Sequence, residues 1–134
     1  MSEQQQQIAE TINAARSRIG LSNDVDLQEF PNLVGMFDHC VNQYAANPAV
    51  SCLGHTLSYA DLDRLSAQFA CYLQEHSGLQ AGDRIAIQMP NILQYPVVLF
   101  GALRAGMIVV NTNPLYSERE LKHQLNDSGA KAIV

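Results

Sequence analysis

The chain has 134 residues, of which 47% are hydrophobic, and its formal net charge is −5. That length allows one domain and leaves little room for two, and the hydrophobic fraction is ordinary for a globular protein. An acidic chain without a cluster of Lys and Arg is a poor nucleic-acid binder, so we expect no nucleic-acid partner. No apolar run approaches the ~20 residues that a membrane helix needs.

The cysteines and the first residues favour a cytoplasmic protein. Cys40, Cys52 and Cys71 are an odd number of widely spaced cysteines, which is typical of reduced thiols. The polar segment 1–7 lacks the apolar core of a secretion signal. We therefore expect a cytoplasmic location.

Residues 1–32 are predicted to form an N-terminal arm with an amphipathic helix, followed by a polar connection at 24–31. Gly20 is predicted to end the helix. The helix could dock on the rest of the protein, on a second copy as a homodimer contact, or peripherally on the inner membrane. Only Arg16 and Arg18 could meet anionic lipid, so docking on protein is favoured. The apolar positions of this helix are Ile8, Ile12, Ala15 and Ile19.

The next segment is predicted to contain two helices and a short hairpin. A helix over 33–46 ends at Asn47-Pro48, because proline disfavours helix in the residue before it. Strands at 49–53 and 56–58 are joined by a turn at Gly54-His55. Ser58 and Asp61 have the spacing of a capping box that opens a third helix. The predicted buried face of that helix is Leu62, Leu65, Phe69 and Leu73, and Gly78 is predicted to follow its end.

From Arg84 onward the pattern predicts β-α-β-α-β. Apolar strands at 85–89, 107–110 and 132–134 alternate with helices, which indicates a parallel sheet with helices on its faces. The last strand only begins at Val134, and a growing sheet edge needs a neighbour or a cover. We therefore expect an incomplete sheet in a truncated protein. An edge position or a swapped partner for the last strand are the alternatives.

Motifs for phosphate, metal or acid–base chemistry are missing. No glycine-rich phosphate loop follows a strand. The histidines at 39, 55, 76 and 123 do not have metal-ligand spacing. Asp61 and Asp63 lie two residues apart on a helix, so they do not face each other as a catalytic pair.

Two segments next to the predicted sheet are candidate ligand contacts. Residues 82–84 precede the first parallel strand, and a turn in which Asp83 bonds nearby backbone N–H groups also explains them. Residues 111–116, Asn-Thr-Asn-Pro-Leu-Tyr, follow the second parallel strand at its carboxyl end, where open α/β sheets bind ligands. A polar strand-to-helix loop is the alternative for the second segment.

Six motifs in order resemble adenylate-forming enzymes, from about residue 33 to 134. The longest, at 111–121, is similar to the N-x-N-P-L-Y-T-x-R-E-L of bacterial long-chain fatty acid–CoA ligases, with Ser117 in place of Thr. The others are SYADL at 58–62, GLQAGDRIAI at 78–87, MPN at 89–91, GALRAG at 101–106 and DSGAK at 127–131.

The resemblance implies a fold, a reaction and a set of cofactors. Residues 33–134 would be the first part of the large N-terminal AMP-binding domain of an acid–thiol ligase. The whole enzyme would use ATP and Mg²⁺ to activate a fatty acid as acyl-adenylate, and CoA would then displace AMP. The family's phosphate loop, adenine-binding segment, hinge and catalytic lysine lie further along such chains. We therefore carry over no catalytic, cofactor-binding or metal residue, and expect this chain to be scaffold, inactive alone and without bound cofactor.

A self-sufficient small α/β binding, regulatory or dimerisation module is the alternative. The length and the β-α-β-α-β pattern resemble a small signalling receiver. However, no acidic cluster follows the strand at 85–89, where a phosphoryl-accepting site would need one.

Overall fold

A computed structural model describes residues 2–21 and 29–134. The chain divides into two compact units, Met1–Pro31 and Asn32–Val134. The first unit contains helix α1, Glu3–Arg18, which begins with a capping box between Ser2 and Gln5. A helix is thus present where the sequence predicts one, whereas most of the predicted connection at 24–31 lies outside the described residues. The helix buries no residue.

The second unit opens with α2, Leu33–Tyr44, and an antiparallel hairpin of β1, Pro48–Cys52, and β2, His55–Ser58. The predicted turn at Gly54-His55 is wrong by one residue. Cys52 pairs with His55, so the turn residues are Leu53 and Gly54, with φ of 49° and 80°. Two-residue hairpin turns of this kind need positive φ at both positions, and glycine at the second position supplies it most easily.

Helix α3, Tyr59–His76, begins as predicted at a capping box between Ser58 and Asp61. Its buried face is only partly as predicted. Leu62 and Leu73 are buried, but Ser66 and Ala70 are buried too, while Leu65 and Phe69 stay half-buried. The small residues are buried because α4, Gln94–Arg104, passes close to them. A Cβ on Gly101 would lie 2.8 Å from the carbonyl oxygen of Ser66.

The predicted parallel sheet is confirmed, with strand order β4-β3-β5. Strand β3, Arg84–Ile87, is central and pairs in parallel with β4, Ile108–Asn111, and β5, Ala132–Ile133. Helix α5, Glu118–Ser128, connects the two outer strands.

Strand β3 ends two residues earlier than predicted. The carbonyl of Ile87 accepts a hydrogen bond from the N–H of Thr112, and the N–H of Gln88 donates to Val134 beyond the end of β5. The next residues lead to Pro90, which has no N–H for a sheet ladder. The chain therefore leaves the sheet here, and Met89 belongs to the loop.

The core lies between the sheet and the α3–α4 pair. Its buried members are Ala70, Leu73, Ile85, Ala102, Ala105 and Met107. At the outer strands, Ile108 and Ile133 keep 49% and 46% of their surface exposed. Apolar surface is therefore exposed at both outer strands of the sheet.

In the part of the chain that the structure describes, none of the helices is both long and apolar enough to cross a membrane.

Candidate functional site

The carboxyl ends of β3 and β4 lie at the same edge of the sheet, because the two strands are parallel and Ile87 pairs with Asn111. Two loops leave the sheet at this edge, at residues 88–93 and 111–116. Ligands of open α/β sheets bind at such an edge. The structure therefore places the candidate segment 111–116 where the sequence predicted it.

The loop at 111–116, which we call the β4–α5 loop, is held by its own polar groups. The Oδ1 atom of Asn113 accepts a hydrogen bond from the N–H of Leu115 at 2.9 Å, which is an Asx turn. The N–H of Tyr116 donates to the carbonyl of Asn113. Thr112 is buried, and its hydroxyl donates to the carbonyl of Val110. These bonds leave the Leu115 side chain 89% exposed.

Three side chains from other parts of the unit contact the β4–α5 loop. Tyr95 of α4 donates its hydroxyl proton to Oδ1 of Asn111 at 2.8 Å, and Gln124 of α5 donates Nε2 to the Asn111 carbonyl at 2.9 Å. Gln88 donates more weakly, at 3.4 Å, to the carbonyl of Asn113. The loop is therefore fixed from both neighbouring helices and from the end of β3.

Ser117 and Glu120 close the loop as a capping box for α5. The hydroxyl and the N–H of Ser117 both donate to Oε2 of Glu120, at 2.6 Å and 2.8 Å. These two hydrogen bonds favour the charged carboxylate and hold the pKa of Glu120 below its ordinary value, with the hydroxyl contributing most. Glu120 is therefore a charged side chain that caps the start of α5.

Residues 82–84 form the other candidate segment and lie at the amino end of β3, at the opposite edge of the sheet from the β4–α5 loop. The N–H of Gln80 donates to Oδ2 of Asp83 at 2.9 Å, and Lys131 contacts Oδ1 of Asp83 at 2.7 Å. The hydrogen bond from Lys131 is the main reason that the pKa of Asp83 lies below its ordinary value, followed by that from Gln80. The prediction of a turn in which Asp83 bonds backbone N–H groups is confirmed.

Asp61 is a capping residue, as predicted, rather than an acid–base catalyst. The Ser58 hydroxyl donates to Oδ2 of Asp61, and the Ser58 N–H contributes a second bond. Both contacts hold the pKa of Asp61 below its ordinary value, and the bond from the hydroxyl contributes most.

Sequence reasoning missed the cluster around Arg104 of α4. Its guanidinium pairs with Asp38 of α2 at 2.9 Å and with Asp63 of α3, and lies 4.9 Å from the ring centroid of Phe37. Burial opposes the charge, but the bonds to Asp38 and Asp63 outweigh it and raise the pKa of Arg104. The cluster holds three helices together, and no local pattern reveals partners that are 41 and 66 residues apart.

Metal and phosphate ligands do not come together in the described structure. Within residues 2–21 and 29–134, no group of three or more His, Cys, Asp or Glu side chains could hold a metal ion. The loops at 88–93 and 111–116 contain no glycine, so neither can wrap a phosphate closely with its backbone.

Comparison with known proteins places the chain in a family. Residues 37–134 match the AMP-binding enzyme family. The chain is 53% identical over 111 residues to a long-chain-fatty-acid–CoA ligase of Salmonella typhimurium and 49% identical over 115 residues to that of Haemophilus influenzae. These alignments cover 83% and 86% of this chain but 20% of each relative. The chain therefore spans about a fifth of the length of the curated relatives that it matches.

Solved structures show the same fold. The N-terminal subdomain of Klebsiella oxytoca NpsA superposes with a TM-score of 0.73 at 20% identity, covering 76% of this chain and 26% of that one. VinN, solved in complex with 3-methylaspartate, superposes with a TM-score of 0.72 at 27% identity, covering 76% of this chain and 28% of that one.

Proposed function

The chain belongs to the AMP-binding enzyme family, and we propose from this membership that the whole protein is a long-chain fatty acid–CoA ligase. The single observation that carries the proposal is the identity of about half the aligned residues to bacterial ligases of that name. The longest motif that resembles such ligases lies in the β4–α5 loop and the start of α5.

The proposed reaction has two balanced steps. A carboxylate oxygen of the fatty acid attacks the α-phosphorus of ATP, and pyrophosphate leaves with the electron pair of the broken P–O bond. The thiolate of CoA then attacks the acyl carbon, and AMP leaves with the carboxyl oxygen. Mg²⁺ would stabilise the charge that develops on the phosphate oxygens.

Within that enzyme, we propose that residues 33–134 are scaffold and the first part of the AMP-binding domain, preceded by an arm at 1–32. The match of residues 37–134 to the AMP-binding enzyme family and the coverage of about a fifth of each curated relative support this role. A cytoplasmic location is supported by Cys40, Cys52 and Cys71, which are all free thiols.

The experiment is an assay of the whole protein with a long-chain fatty acid, ATP, Mg²⁺ and CoA. We expect acyl-CoA, AMP and pyrophosphate in equal amounts by mass spectrometry and coupled assays. The 134-residue chain, assayed in parallel, should form no thioester and should bind no ATP in calorimetry. Absence of acyl-CoA with the whole protein would overturn the ligase assignment, and a thioester formed by the chain alone would overturn the scaffold role.

For the arm, we propose contact with a second copy of the protein rather than with a membrane. Ile8 and Ile12 on α1 and Ile19 directly after it are 54%, 49% and 73% exposed. Helix α1 carries as many acids as bases, which disfavours binding to anionic lipid. Sedimentation of the chain should show a dimer that Ile12→Asp weakens and Asn13→Asp, on the polar side, does not. Binding to anionic vesicles in place of dimerisation would overturn this role.

A further inference from the structure

Strand β4 has an outer edge that another strand could join. Among the strands that the structure describes, β4 pairs with β3 alone. Its sequence, Ile-Val-Val-Asn, contains no charged residue, and Ile108 is exposed. Edge strands of this composition tend to pair with a second chain, and proteins that remain separate in solution block such pairing. The structure should therefore contain a feature that protects β4.

The hydrogen bonds of β4 show which of its backbone groups face outward. The N–H groups of Ile108 and Thr112 both donate to β3, at 2.9 Å. Since alternate residues of a parallel ladder face the same neighbour, Val109 and Asn111 direct their backbone groups away from β3. The peptide bond before Thr112 is trans, so the Asn111 carbonyl points opposite to the Thr112 N–H. That carbonyl is therefore one of the two outward acceptors of β4.

A side chain already occupies the outward carbonyl of Asn111. Gln124, half-buried on α5, donates its Nε2 to this oxygen at 2.9 Å. On the other side, the Tyr95 hydroxyl bonds Oδ1 of Asn111 and holds the same residue in place. A strand that paired with β4 along its whole length would have to break the bond from Gln124. Because β4 has four residues, that bond occupies a large share of its outward pairing groups.

We propose that Gln124 closes the outer edge of β4 against pairing with a second copy of the chain. The side-chain amide takes the place that the N–H of a neighbouring strand would take. This inference concerns the sheet alone and does not depend on the proposed ligase activity.

The first test opens the edge in the 134-residue chain. Gln124→Met keeps the length of the side chain without the donor, and Gln124→Asn keeps an amide that is too short to reach Asn111. Both variants should self-associate with a constant about fivefold higher in sedimentation, because one ordinary hydrogen bond no longer has to be broken. As concentration rises, the amides of Val109 and Asn111 should become protected from exchange in both variants. A dimer formed through the arm would not protect them.

The matched control is Gln74→Met, the same change at an exposed position of α3. It should associate as the unaltered chain does. Stronger association of Gln124→Met without that of Gln124→Asn would assign the effect to added apolar surface and overturn the inference. Association that leaves the β4 amides unprotected, or that follows a loss of folded structure in circular dichroism, would overturn it too. So would unchanged association in both variants.

The second test asks whether β4 is also an outer edge in the whole protein. We expect the amides of Val109 and Asn111 to remain unprotected there, whether or not the protein makes acyl-CoA. If they are protected in the whole protein at low concentration, a strand from another part of the chain covers β4. Gln124 would then not close an edge, and the inference would be overturned.

Discussion

The two ends of the parallel sheet are built differently. At the amino end, short contacts close the structure: Lys131 pairs with Asp83 at 2.7 Å, and the N–H of Gly82 donates to the Gly106 carbonyl at 2.8 Å. At the carboxyl end, the β4–α5 loop is held by side chains from several elements and leaves Leu115 exposed. The same three strands therefore carry one end closed by short contacts and one end whose loop is exposed to solvent.

The largest expected effect comes from the strand that both ends share. Ile85 in β3 is fully buried, so Ile85→Ala should lower the free energy of unfolding by about 2–5 kcal/mol through lost burial and a cavity. Urea denaturation followed by circular dichroism measures this change. A loss below about 1 kcal/mol would mean that β3 is not the common core of the two ends.

A substitution at the amino end tests how tightly that end is closed. Gly106 has a φ of +81°, and a Cβ there would lie 3.0 Å from the Cβ of Ala81. Gly106→Ala should cost more than the roughly 1–2 kcal/mol of the left-handed conformation alone. Gly54→Ala is the matched control, since its φ is +80° and no atom lies within 4 Å of the added Cβ. Equal losses for the two variants would show that the amino end is loosely packed.

A substitution at the carboxyl end should have a smaller effect on stability. Tyr95→Phe removes the hydroxyl that bonds Oδ1 of Asn111, and we expect a loss of about 1 kcal/mol or less, with faster amide exchange confined to the β4–α5 loop. Tyr72→Phe on the exposed side of α3 serves as the control. Faster exchange at the amino end in Tyr95→Phe would mean that the two ends are not independent.

The smallest effect is a pH dependence at the amino end. The pKa of Asp83 is lowered below 3.8 in the folded chain, so the charged carboxylate stabilises the fold at higher pH. This contribution is fully present above the unfolded pKa and is lost as pH falls through the lowered folded pKa. Asp83→Asn should therefore be less stable than the unaltered chain at pH 7, and the gap should close in strong acid. A gap independent of pH would contradict the ion pair with Lys131.

Local signals predicted most elements of the second unit. The capping boxes at Ser58 and Ser117 mark the starts of α3 and α5, and Gly129, in the left-handed conformation, follows the end of α5. The alternation of apolar strands with helices predicted the parallel pairing. These features follow from neighbours three or four residues apart, so the sequence carries them directly.

The limits of prediction lie where distant segments meet. The hairpin turn was misplaced by one residue because the register of β1 and β2, and not glycine alone, decides which residues turn. The buried face of α3 was misjudged because Ser66 is covered by Gly101 of another helix. The contacts of Arg104, Tyr95 and Gln124 could not be predicted from the sequence either, because their partners lie 13 to 66 residues away.

By itself, the sequence determined the order and type of the elements, the family, and the loop that leaves the carboxyl edge of the sheet. Apolar spacing, helix caps and motifs each lie within a short stretch of chain, so they can be recognised without knowledge of the tertiary structure. Only the tertiary structure decided which side chains hold that loop and which close the opposite end. Those contacts join residues that are far apart in sequence, as Tyr95 and Asn111 are, and packing alone brings them within hydrogen-bond distance.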